Sequence, residues 1–317
     1  MKRVALMNLE PKYKNLALEK VRIYHERRGD TVQSFGLGQF DVVYCSGIFD
    51  FTKRDGRIPP DAICGGTGFD LTTVLPPEID SIEPHLSFGF TTRGCIRNCK
   101  FCVVPRKEGK IRVVGDLLSL WDGKARDVVL FDNNILAVPD HFALVCEQAR
   151  KHKLRLDFNQ GLDHRLLTPE IIDLMKSISH HEYRFAFDHP SLIGSVDSAI
   201  ALLQTHGIQR ATWYVLVGFD TTFEQDLDRL NYLRGQHQAV YVQRFIGKGK
   251  KLGKEYIVLA NWANAHRMFQ ALTLQQYIRL PRNKGYKKYM MELGIYTEHT
   301  DVLGGNIRAA SNVSTGR

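Results

Sequence analysis

The sequence predicts an α/β protein: a partial (βα)6 TIM-like barrel over residues 81–245, preceded by a short Rossmann-like α/β unit over 1–80 and followed by a basic extension over 246–317. Three observations predict it. From Leu86 onward short apolar runs alternate regularly with stretches of helical periodicity. The first eighty residues begin the same alternation on a smaller scale. Polar and glycine residues follow the apolar runs, as turns at strand ends require. A chain of 317 residues can bury the core that such a fold needs.

Residues 3–8 (Arg-Val-Ala-Leu-Met-Asn) form a short apolar strand, and Leu16, Leu18, Val21 and Ile23 mark an amphipathic helix that stops at Gly29. Further strands are expected at 31–35 and 41–45, and 62–69 reads as a strand running into a glycine turn. In the barrel, strands are expected at 86–91, 127–132, 154–158, 183–188, 212–218 and 239–244. Helices fill 116–121, 140–152, 169–177, 192–205 and 222–233, the third with Thr168 as N-cap and Pro169 at its first position. Parallel strands joined by right-handed helical crossovers gather their chemistry at the carboxyl ends of the strands. Residues 247–254 read as a flexible linker, helices follow at 257–268 and 274–278, and 304–317 reads as a disordered tail.

Lys and Arg exceed Asp and Glu by 43 to 34, a net charge of +9, and the excess is local. Between Arg244 and Met290 eleven Lys or Arg face one acid, Glu255. Such a segment suits a nucleic acid or another phosphate-bearing partner, with Trp262, Tyr277, Tyr286 and Tyr289 as stacking surfaces, or it is a solvated basic face. No apolar run is long enough for a membrane span or a signal peptide, so a cytoplasmic protein is expected.

Three of the six cysteines, Cys95, Cys99 and Cys102, stand within eight residues as CxxxCxxC. Three thiolates on one loop can hold three irons of a cubic iron-sulfur cluster and leave the fourth open, whereas structural zinc takes four ligands. His85, the nearest upstream histidine, is ten residues from Cys95, which is not a zinc-knuckle spacing. A zinc site and three incidental thiols are the alternatives.

The cysteine run, with Phe101 before its last member, resembles the signature of the radical S-adenosylmethionine (radical SAM) superfamily. The resemblance implies a 4Fe-4S cluster on Cys95, Cys99 and Cys102, S-adenosylmethionine bound at the open iron, and a 5′-deoxyadenosyl radical that abstracts hydrogen. It implies an electron donor such as flavodoxin or ferredoxin. It also implies cofactor contacts from Phe101, from Asp132, Asn133 and Asn134 after the second barrel strand, Asn159 after the third, Asp188 after the fourth and Gly218 after the fifth. His189 is placed as a proton donor or substrate contact.

The N-terminal unit resembles a shortened form of the cobalamin-binding domain that precedes many such cores. Asn8-Leu9-Glu10-Pro11-Lys12-Tyr13 stands where that family carries DxHxxG, so no histidine is there to ligate cobalt, and cobalamin is not expected. Cys45, Cys64 and Cys146 read as structural. Two N-terminal cysteines are too few for the second cluster of the methylthiotransferases, and none after Cys146 can hold an auxiliary one. The substrate is left open among RNA, a nucleotide and a small metabolite. A protein of another class, an iron-sulfur sensor that makes no radical, shares the cysteine loop but needs no S-adenosylmethionine pocket.

Overall fold

The computed structural model describes residues 1–54, 56–247 and 251–297. It divides into two compact units, Met1–Leu252 and Gly253–Arg317. No helix of the described residues is long and apolar enough to cross a membrane.

The first unit opens with β1 (Arg3–Asn8), α1 (Leu16–Arg27), β2 (Thr31–Ser34), β3 (Val42–Ser46), β4 (Ile63–Gly65) and α2 (Pro77–Asp80). The four strands pair in parallel in the order β2-β1-β3-β4. Asn15 starts α1 by accepting a bond from the Leu18 amide, so the helix lays Leu18 and Val21 against Val4, Leu6 and Ile79. Cys45 and Cys64 are register partners on β3 and β4, and burial, with the neighbouring Cys64 thiol behind it, pushes the Cys45 thiol up to about 12. Glu10, buried after β1, accepts from the amides of Ile48 and Phe49 and from the Thr52 hydroxyl, tying the β1 and β3 loops together.

The rest of the unit holds β5 (Phe88–Gly89), β6 (Thr92–Arg93), α3 (Val104–Lys107), β7 (Arg112–Val113), α4 (Leu117–Leu120), β8 (Asp127–Leu130), α5 (Pro139–Lys151), β9 (Arg155–Phe158) and α6 (Pro169–Lys176). Then come β10 (Ser179–His180), β11 (Arg184–Ala186), α7 (Ile193–Thr205), β12 (Thr212–Val217), α8 (Phe223–Gly235) and β13 (Ala239–Arg244). Two parallel sheets result, β10-β9-β8-β5 and β11-β12-β13, and a bridge between Leu162 and Phe185 joins them. The mixed α/β class with parallel sheets is as expected. The strand expected at 86–91 is cut to two residues, because the chain leaves the sheet after Gly89, at φ 154°. It re-pairs as the antiparallel hairpin β6/β7, which the sequence did not announce.

On β8, β9, β11 and β12 one set of alternate side chains is fully buried, Val128, Leu156, Phe185, Trp213 and Val215 among them. α5 supplies Phe142, Val145, Cys146 and Ala149 to the core, so Cys146 is the packing residue expected of it.

The second unit contains α9 (Lys254–Ala263), α10 (His266–Ala271), α11 (Leu274–Arg279) and α12 (Lys284–Glu292). The helix expected over 257–268 is two helices with a break at Asn264-Ala265, and α12 was not foreseen. Trp262 is fully buried against the Phe269 ring and donates Nε1–H to the Leu272 carbonyl. Tyr277 is buried too, so these two aromatics are core residues and not stacking platforms, a correction to the sequence reading. Part of the 247–254 linker and all of the 304–317 tail lie outside the described residues.

Candidate active site

The cysteine loop is a long excursion between β6 and β7. Its base is closed by the hairpin and by a two-pronged ion pair in which Arg93 Nε and Nη2 bond the two Glu108 oxygens at 2.6 and 2.8 Å. Gly94 starts the excursion at φ 85°, where an added Cβ would stand 2.3 Å from the Lys110 carbonyl oxygen. Asp132, at the end of β8, is buried and accepts from the amides and hydroxyls of both Thr91 and Thr92. Burial pushes its carboxyl up, against those bonds. Its carboxylate therefore anchors the segment that delivers the loop.

Cys95, Cys99 and Cys102 are half-buried and line one cavity of about 800 Å3. Hydrogen-bond donors are aimed at the sulfurs: the Arg97 amide and Asn134 Nδ2 at Cys95 (3.3 and 3.5 Å), the Val104 amide at Cys102 (3.4 Å). Burial first, and neighbouring thiols after it, push the Cys99 and Cys102 thiols up. Among the described residues no three metal-ligating side chains stand in a ready-made array. The donor set nevertheless fits an iron-sulfur cluster, for N–H···S bonds of this kind stabilise ligating thiolates. Asn133 Nδ2 and Asn134 Oδ1, buried without a partner, leave polar capacity beside the loop.

Asp163, 5% exposed, is the charged centre of the wall. It accepts from Arg97 Nε (2.8 Å), Arg165 Nε (2.7 Å) and Asn134 Nδ2 (3.2 Å), joining the cysteine loop to the ends of β8 and β9. Burial raises its carboxyl, but the two guanidinium bonds outweigh it and the pKa stands lowered. Across the cavity Asp188 is pushed up to about 6 by burial, against the pull of Arg229. Phe101 faces the Phe219 ring at 5.7 Å, and Phe219 faces Phe245 at 4.8 Å, so an aromatic chain links the loop to the ends of β12 and β13. Tyr13 and Phe49, from the loops after β1 and β3, line the same cavity with rings 5.4 Å apart.

With this geometry in hand the chain can be set beside known proteins. No protein-family model matches it. Over 103 aligned residues it is 28% identical to the ribosomal protein uS12 methylthiotransferase RimO of Pseudomonas aeruginosa (strain UCBPP-PA14), covering 26% of this chain and 23% of that protein. The likeness suggests the radical SAM superfamily and goes no further. The chain thus spans about a quarter of the length of the curated relative that it matches.

Of the residues expected to touch a cofactor, Phe101, Asn133, Asn134, Asn159 and Asp188 line the cavity with the three cysteines. Asp132 and Gly218 are not among its lining residues. Gly218 gives its amide to Asp226 Oδ2 at 2.7 Å, and Leu252 packs where a Cβ would be. His189 does not line the cavity either: its Nδ1 accepts from the Ser191 amide and caps the short turn Pro190–Leu192. The sequence gives no signal for a role of Arg97 or Arg165 at the site. Asp163 ends the polar run Asn159-Gln160-Gly161-Leu162-Asp163, whose position after a strand suits ribose or carboxylate contacts, but its pairing with an arginine between two cysteines is a tertiary fact.

His164, next to Asp163, is buried with Nε2 2.9 Å from Ser195 Oγ, and burial lowers its pKa to about 4. Above pH ~6.5 the ring is neutral in folded and unfolded chains alike. Below that, the unfolded chain takes up a proton that the folded one refuses until about pH 4, so stability falls as pH falls through this window. The loss reaches about 3 kcal/mol at its acid end. Urea unfolding of wild type and His164→Gln at neutral and mildly acidic pH will show a flatter pH dependence in the variant; equal slopes would refute the assignment.

Proposed function

We propose that this chain is a radical SAM enzyme whose cluster is held by Cys95, Cys99 and Cys102. The observation that carries the reading is the convergence, on one cavity, of three thiols of CxxxCxxC spacing with N–H donors on their sulfurs and polar strand ends around them. The chemistry that a bound cluster supplies is one-electron cleavage of S-adenosylmethionine to methionine and a 5′-deoxyadenosyl radical. The chain's own residues do the positioning. Asn134 holds Cys95 in place and is itself held by Asp163. Arg97 and Arg165 share the single Asp163 carboxylate, so the trio leaves one net positive charge beside a cavity that must take a carboxylate-bearing cofactor. Phe101 and the aromatic wall exclude water from the side facing β12 and β13.

In this reading β5, β8, β9, β11, β12 and β13 form the partial barrel, residues 1–80 are a shortened Rossmann-like unit that walls its mouth, and the electron comes from a flavodoxin or ferredoxin. The two N-terminal cysteines lie in strands as register partners, and the turn from β1 to α1 holds no histidine, so neither a second cluster nor cobalamin is part of the proposal. The methylthiotransferase reaction of the partial relative is therefore not carried over.

The test is anaerobic reconstitution with iron and sulfide, reduction, addition of S-adenosylmethionine and chromatography for 5′-deoxyadenosine. Wild type will form it and Cys99→Ala will not. A bound cluster that yields none with any reductant would make the chain an iron-sulfur sensor instead.

A further inference from the structure

The strands around the cavity have an inner face that does not look like a barrel core. On β11, β12 and β13 the outward positions Phe185, Trp213, Val215, Val240 and Val242 are buried. The alternate positions Arg184, Thr212, Tyr214, Tyr241 and Gln243 all line the cavity. A closed barrel fills its interior with Val, Ile and Leu, so a polar and aromatic lining is a surface for a ligand.

Its chemistry narrows the ligand. Tyr214 and Tyr241 are register partners whose rings lie 5.8 Å apart at 68°. The next position in the row, Ala186, pairs with Tyr214 and leaves room beside it. Tyr241 is 51% exposed and lines the cavity, so ring surface is open to it, while the Tyr214 hydroxyl is engaged by the Asn159 carbonyl at 3.0 Å. On the floor one guanidinium, Arg184, is bonded to two carboxylates, Asp157 and Glu182, which leaves it committed and offers nothing to an anion. A bare ring face takes a flat partner, and an amide beside it pairs with a ring edge that carries both donor and acceptor.

We infer that this face binds an uncharged heteroaromatic ring of the nucleobase kind, stacked on Tyr241 and bonded at its edge by the Gln243 amide. That the ring belongs to the substrate rests on the radical SAM reading; that it binds does not. Calorimetry on the protein without cluster, titrated with uridine, cytidine, guanosine and, as the ring-free comparison, ribose, tests it. Adenosine is left out because S-adenosylmethionine carries the same base.

Saturable binding of at least one nucleoside is expected, weakened by roughly tenfold or more in Tyr241→Ala and largely retained in Tyr241→Phe. Absence of nucleoside binding, equal binding of ribose, or indifference to Tyr241→Ala would overturn the inference, and unchanged thermal unfolding of the variant excludes a folding artefact. The wild-type 5′-deoxyadenosine assay reads the reaction separately. Product without ring binding removes only this inference; ring binding without product removes only the radical reading.

Discussion

Arg229→Met will destabilise the chain by about 3–5 kcal/mol, the cost of leaving a buried charge without its partner. Arg229 is 2% exposed and Asp226 0%, one turn apart on α8. The guanidinium bonds Asp226 and reaches the carbonyls of Phe187 and Leu216, where β11 and β12 end. Asp226 in turn accepts from the Gly218 amide and the Thr221 hydroxyl, at 2.7 and 2.6 Å. Removing the arginine strands a buried carboxylate and two strand-end carbonyls together. Removing both charges, in Arg229→Met with Asp226→Leu, will cost less than the sum of the singles, because neither ion is then left alone. Denaturant unfolding of the four proteins gives the cycle; a single-variant loss below about 1 kcal/mol would mean that water reaches the pair. Because the pair holds the strand ends that carry Asp188, the same variant will also disorder the cavity wall.

On the proposed cluster site, Gly94→Ala will cost the protein most of the iron that reconstitution gives the wild type. Two effects act together at this position. A φ of 85° strains any L-residue by about 1 kcal/mol. The new methyl would also meet Lys110 O at 2.3 Å and Gly109 O at 2.7 Å, backbone atoms that cannot swing aside. The two strands at the base of the loop must part, and with them goes the bond from the Cys95 amide to the Gly109 carbonyl. Cys95 then moves away from Cys99 and Cys102. Gly123→Ala is the control, for its φ of 77° is equally strained but nothing lies within 4 Å of the added Cβ. The control should lose about 1 kcal/mol of stability and keep its iron. Equal iron in both variants would show that the loop tolerates the displacement.

Much of the fold was legible in the sequence because it is local. Strands β8, β9, β11, β12 and β13 fall within a residue or two of their expected places, since apolar alternation bounded by turn residues is a property of short segments. Thr168 and Pro169 start α6 as read, the threonine accepting from the Ile171 amide. The hairpin β6/β7 was not legible, for its two strands are short and nearly twenty residues apart, and what pins them is Asp132, distant in sequence. The break between α9 and α10 was hidden because Trp262 before it and Phe269 after it stand seven residues apart, a spacing that continues one helical face.

For the site, the division follows the range of the interactions. The sequence by itself determined the cysteine loop, since three thiols within eight residues need no folding to be neighbours. It also determined that Asn133, Asn134, Asn159 and Asp188 end strands, and parallel strands bring such ends to one side. Only the tertiary structure decided their roles. Asp132 turned to the two threonines and His189 to its own turn, because each found donors within reach before any ligand did. Arg97, Asp163 and Arg165 met across the cavity wall although 66 residues separate the first pair. The polar inner face with Tyr241 likewise exists only once strands distant in sequence are set in register, which no local pattern specifies.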